Sequence, residues 1–92
     1  MPVLSSNEIN QQLTAIPDWQ LKNGELVRTF TFEDFREAMS FVNSVAGLAE
    51  HAGHHPDIDI RYNKVHLALS SHDAGGITEK DFSLATKIGN IL

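Results

Sequence analysis

His54 and His55 stand side by side, behind Gly53 and ahead of Pro56, with Glu50 four residues upstream of the first and with Tyr62, His72 and Asp81 following downstream. Histidine has an unperturbed pKa of about 6.5, so it can both give and take a proton near neutral pH. The chain contains no cysteine. That removes disulfides, thiolate nucleophiles and cysteine-based zinc sites together. Histidines and carboxylates gathered from separate elements are the equipment of general acid–base catalysis.

Each of these residues also has a purely structural explanation. A polar helix exit favours histidine, because its cation suits the negative helix end, and this covers His54, His55 and especially His51. His66 falls on the polar face of a strand. Asp81 suits the third position of a helix cap, and Glu50 suits a solvated surface. A zinc site built from His51, His54, His55 and His72 is the sharpest rival chemistry. However, His51-x-x-His54 runs into a helix-breaking glycine and matches no familiar ligand spacing. No metal and no cofactor is expected.

The elements that must position these residues are readable in order. Ser5 with Glu8 forms a capping box, and Leu4 with Ile9 forms a hydrophobic staple. Ile9, Leu13 and Ile16 extend the stripe of a first helix until Pro17 stops it. Asn23-Gly24 between alternating segments predicts a hairpin, with Trp19, Leu21, Phe30 and Phe32 facing one side. Arg28 breaks that alternation. A second helix is expected from near Glu33, capped by Thr31 with Asp34. Its apolar positions run from Phe35 through Ala38, Met39, Val42, Val45, Ala46 and Ala49, and Gly53 is its stop. Gly47 lies inside it, and close helix packing is one reason a glycine would be kept there.

Pro56 pushes His55 toward extended backbone. Ile58 and Ile60 then alternate with Asp57, Asp59 and Arg61, and Tyr62-Asn63-Lys64 makes a turn. Val65, Leu67 and Leu69 alternate with polar or small partners, so a second hairpin follows with one buried and one polar face. Thr78, with Asp81 three positions on, caps a third helix whose apolar side is Phe82, Ala85 and Ile88.

The expected fold is α+β, in the order α-β-β-α-β-β-α: one four-stranded antiparallel sheet with three helices on one face. A single domain over residues 1–92 is expected from the length. The second hairpin sets the start of one strand beside the end of the other, which places His54, His55 and His72 at one end of the sheet. Asp81, in the first turn of the next helix, falls near that end too. An open edge strand could pair with a second subunit.

The formal net charge is −5, and the seven Lys and Arg are scattered. This argues against direct nucleic-acid contact, which needs clustered positive charge. No apolar run approaches the roughly 20 residues that cross a bilayer. The first residues show no basic stretch followed by an apolar run, so no signal peptide and a cytoplasmic location are expected.

The stretch Glu50-x3-His54-His55-Pro56, then Tyr62, His72 and Asp81, resembles the signature of the pterin-4a-carbinolamine dehydratases. The segments from Tyr62 to His66 and from Ser71 to Asp81 resemble that family as well, and the similarity extends over nearly the whole chain. Ile58 departs from it, where many members carry tryptophan.

The resemblance implies dehydration of a 4a-hydroxytetrahydropterin to a quinonoid dihydropterin. An acid protonates the departing 4a-hydroxyl and a base takes the N5 proton, with no metal or redox cofactor. By resemblance, His54 and His72 are the acid–base pair, without distinction as to which is which. His55 holds and orients the pterin, Glu50 is the carboxylate associated with the first histidine, and Asp81 is the closing acid, grouped with His55 in substrate binding. For a chain this short, with an open edge strand, a homodimer or homotetramer is expected. The competing function that the resemblance implies is a non-catalytic one: protein binding through a helix face, as a transcription-factor dimerisation cofactor or an assembly or regulatory partner.

Overall fold

The computed structural model describes residues 2–92. The elements are α1 (Ser6–Leu13), β1 (Gln20–Lys22), β2 (Glu25–Thr31), α2 (Phe35–Ala52), β3 (Asp57–Arg61), β4 (Lys64–Leu69) and α3 (Glu79–Asn90). This is the expected α-β-β-α-β-β-α order, with a four-stranded antiparallel sheet ordered β1-β2-β4-β3.

Local chemistry explains most boundaries. The Ser5–Glu8 capping box opens α1, and Leu4 packs against the core to which Ile9 belongs. Asn23 and Gly24 both take positive φ, at 53° and 78°, and close the first hairpin with Lys22 opposite Glu25. Helix α2 starts later than the sequence suggested. Asp34 is its cap, accepting from the Glu37 amide, and Thr31 remains in β2. Gly53 ends α2 in the left-handed region, with φ 63°.

One core joins the layers. Leu26 and Phe30 of β2 and Val65, Leu67 and Leu69 of β4 meet Ile9 of α1, Val45 of α2 and Ile88 of α3. Arg28 shares the inner face of β2 with Leu26 and Phe30. Its guanidinium lies 4.3 Å from the centre of the Phe30 ring and 3.7 Å from Asp18, so a cation is accommodated where the alternation broke. The opposite face carries Thr29, Asp59 and His66 across neighbouring strands, with Thr29 Oγ1 bonded to His66 Nδ1 at 2.9 Å.

The two outer strands are poorly covered. Ile58 and Ile60 pair with Leu67 and Val65, yet both are exposed, and Leu21 of β1 is exposed as well. Gly47 is not held by close packing within the chain, because a Cβ built there meets nothing within 4 Å.

Candidate functional site

The site begins where α2 stops. The left-handed turn at Gly53 directs the chain away from the helix axis, and the His54 amide donates back to the Ala49 carbonyl at 3.1 Å. His54 is thereby set against the start of α3. Its Nε2 lies 2.5 Å from Asp81 Oδ1, in a setting that leaves the histidine 12% exposed and the aspartate 0%.

The Asp81 carboxylate is shared by oxygen. While Oδ1 meets His54, Oδ2 accepts from the Thr78 amide at 2.9 Å and from Ser71 Oγ at 2.9 Å. Ser71 Oγ and Thr78 Oγ1 are themselves 2.8 Å apart. Both oxygens of this buried carboxylate therefore have donors, three in all, as buried charge requires. With Asp81 accepting on both oxygens, the neutral His54 ring carries its proton on Nε2 and keeps Nδ1 as an acceptor. The sequence grouped Asp81 with substrate binding. Its side chain has no exposed surface and reaches the outside only through His54.

His55 is exposed and bonds through Nε2 to Glu50 Oε2. The sequence associated Glu50 with the first histidine, and the structure pairs it with the second. A Glu50–His54 pair four residues apart would need the helix to continue, but α2 ends at Ala52 and Gly53 turns His54 toward α3.

His72 follows β4 in a loop closed by the Ser71–Gly76 bridge. Gly75 sits at φ 86°, and the Ser71 amide donates to Gly76 at 2.9 Å. A Cβ on Gly76 would come 2.9 Å from Val3 Cγ1, so the Val3 side chain would have to shift to admit any larger residue where the N-terminal segment crosses this loop. His72 Nε2 is 3.3 Å from Ser70 Oγ. Donor atoms of Glu25, Asp57 and His72 also lie within 4.8 Å of one another.

The pairing of Asp57 with Ala68 puts the start of β3 beside the end of β4, so all three histidines belong to one end of the sheet. Hydrogen bonding divides them into His54 with Asp81, His55 with Glu50, and His72 with Ser70. His54 borders two cavities, of about 120 and 310 Å³, both also lined by Lys80. His72 lines a separate one of about 520 Å³ with Glu25 and Ser70. His51 and His66 stand apart, on the last turn of α2 and on the open sheet face.

Sequence reading placed Thr78 with Asp81 in a helix cap but missed Ser71 as a partner of the carboxylate, and it missed Glu25 and Asp57 near His72. The Thr78–Asp81 capping spacing was a usable signal. The others are joined only by strand order.

The family model described as pterin 4 alpha carbinolamine dehydratase matches residues 2–91. A protein of Chloroflexus aurantiacus, provisionally named a pterin-4-alpha-carbinolamine dehydratase, is 62% identical over 92 residues, covering 100% of this chain and 99% of its own. One of Thermomicrobium roseum with the same provisional name is 55% identical, covering 99% of this chain and 98% of its own. The crystal structure of a transcriptional coactivator/pterin dehydratase from Brucella melitensis superposes with a TM-score of 0.92 at 35% identity, covering 97% of each chain. A pterin dehydratase-like RuBisCO assembly factor of the alpha-carboxysome reaches a TM-score of 0.65 at 24% identity, over 79% of this chain and 84% of its own, a likeness of fold alone. With a family match that spans nearly every residue and relatives this similar along their full length, the chain belongs to the pterin 4 alpha carbinolamine dehydratase family.

Proposed function

We propose that this chain dehydrates a 4a-hydroxytetrahydropterin to the quinonoid dihydropterin, with histidines moving both protons. The observation that carries the reading is the buried Asp81 carboxylate held 2.5 Å from His54 Nε2. A carboxylate that fixes one imidazole nitrogen leaves the other with a defined role, as orienting acids do for catalytic histidines.

In this reading His54 Nδ1 takes the N5 proton as the base. His72 donates a proton to the 4a-hydroxyl, which leaves as water as the C4a–N5 double bond forms. No electrons are exchanged with an external acceptor, so the balance closes without a redox partner. His55, oriented by Glu50, contacts the pterin ring from the exposed side. Asp81 acts through His54 and does not touch substrate. Proton transfer of this kind is worth about 10²–10⁴-fold for each group.

The uncovered edge of β3, where Ile58 and Ile60 are exposed, favours assembly with further copies of the chain, as a homodimer or homotetramer. Among the described residues no helix is long and apolar enough to cross a membrane, which is consistent with work in the cytoplasm.

A second reading has its own support. The Brucella melitensis relative is described as a transcriptional coactivator as well as a pterin dehydratase, so a protein-binding role through a helix face is the alternative. The net charge of −5 favours a protein partner over DNA. The two are separated by one assay, in which purified protein is added to a freshly generated 4a-carbinolamine and loss of its absorbance is followed. Acceleration above the spontaneous rate supports the enzyme. No acceleration at micromolar protein leaves the binding role.

A further inference from the structure

Two carboxylates from distant parts of the chain meet His72, and the proposed dehydration uses neither. Glu25 opens β2 and Asp57 opens β3. Strand β4 lies between those two strands, with Leu69 paired to Leu26 and Ala68 paired to Asp57. Both strand starts therefore flank the end of β4 that leads into His72. One oxygen of each carboxylate and one ring nitrogen of His72 lie mutually within 4.8 Å.

Among the described residues neither Glu25 nor Asp57 forms an ion pair with lysine or arginine. Two like charges are thus held side by side with no fixed countercharge, an arrangement that a cation relieves. The donor set of one imidazole and two carboxylates suits divalent transition ions, zinc among them. Metal–donor bonds of about 2.0–2.2 Å in a tetrahedral arrangement would bring the donors to roughly 3.4 Å apart, a small closure from the observed spacing. Asp57 and His72 are exposed and Glu25 is half-buried, so the side chains have freedom to close. The cavity of about 520 Å³ lined by Glu25, Ser70 and His72 leaves room for water in the remaining coordination position.

We propose that Glu25, Asp57 and His72 form a binding site for a divalent transition-metal cation, one ion per chain. An ion there takes up a ring nitrogen of His72, the group that would donate the proton, so it inhibits the dehydration. That consequence rests on the function proposed above, whereas the binding itself does not.

The test is titration of zinc chloride into the metal-free full-length protein, followed by calorimetry and by the histidine ring signals in NMR. The expected result is one ion per chain with His72 ring resonances shifted. Glu25→Gln and Asp57→Asn should each weaken binding by at least about tenfold, since even the loss of an outer partner of a metal ligand costs 10–100-fold. His51→Ala should bind as the parent does. Absence of binding, or affinity unchanged in both Glu25→Gln and Asp57→Asn, overturns the site. The inhibition is read separately, as loss of carbinolamine turnover on adding zinc, with Glu25→Gln needing at least about tenfold more zinc for the same loss. A protein that binds zinc through these residues but never accelerates dehydration keeps the metal site and loses the proposed enzyme function.

Discussion

Asp81 Oδ1 lies 2.5 Å from His54 Nε2 while Oδ2 of the same carboxylate accepts the Thr78 amide that begins α3. One buried side chain thus caps a helix and holds a candidate catalytic imidazole. The helix cap uses one oxygen and the proposed site uses the other, so the structural and the functional readings of this acid are compatible.

Replacing Asp81 with asparagine should separate the two roles. The amide oxygen can still accept from Thr78 and Ser71, but the NH₂ group now faces His54 Nε2 and forces that nitrogen to accept. Turnover is expected to fall by at least about tenfold, within the range that general acid–base help is worth. Nitrogen NMR should show the His54 proton moving from Nε2 to Nδ1. An unchanged tautomer with lost turnover would contradict the positioning role.

The buried hydroxyls around Asp81 carry a stability prediction. Thr78→Ala removes a helix cap and should cost about 1 kcal/mol in denaturant unfolding. Ser71→Ala leaves the carboxylate one donor short at a site with almost no water, and should cost about 1–3 kcal/mol. A neutral result for both would mean that α3 and its acid are held from elsewhere.

Much of this arrangement was legible in the sequence, because local rules agreed with the fold. Capping boxes at Ser5 and Thr78, the Asn23-Gly24 turn and the stop at Gly53 all appear where their residue types demand. The cap of α2 was read too early, because Thr31 also suits the strand it ends. Leu21, Ile58 and Ile60 alternate as buried residues do, yet lie on outer strands that the helices leave uncovered. The resemblance associated Glu50 with His54, whereas its side chain bonds His55, because the left-handed turn at Gly53 carries His54 away from α2. The meeting of Glu25, Asp57 and His72 depends on β4 lying between β2 and β3, which no local signal carries.

Gly47 offers a stabilising change. A Cβ there meets nothing within 4 Å, so Gly47→Ala should raise stability by up to about 1 kcal/mol, the propensity difference in a helix interior. For a domain of this size that is a rise in Tm of roughly 4–8 °C. A lower Tm would place another chain against this face of α2.

Glu8 supplies a pH-dependent contribution. The Ser5 amide and hydroxyl bonds in the capping box hold its carboxyl below the ordinary value of 4.5. A folded pKa below the unfolded one means that its contribution is present above about pH 4.5 and is lost as pH falls through the lower folded value. An NMR titration should find Glu8 among the more acidic glutamates. Glu8→Gln should remove that part of the acid sensitivity, and a Glu8 that titrates at or above 4.5 would contradict the cap.

The histidines themselves provide the most direct test. Turnover of a freshly generated pterin-4a-carbinolamine is measured for the parent protein and for four single alanine variants, with far-UV circular dichroism confirming the fold of each. His54→Ala and His72→Ala should each lose at least about tenfold, consistent with proton-transfer groups, while His51→Ala and His66→Ala keep the parent rate. Parent rates from both His54→Ala and His72→Ala would contradict the account.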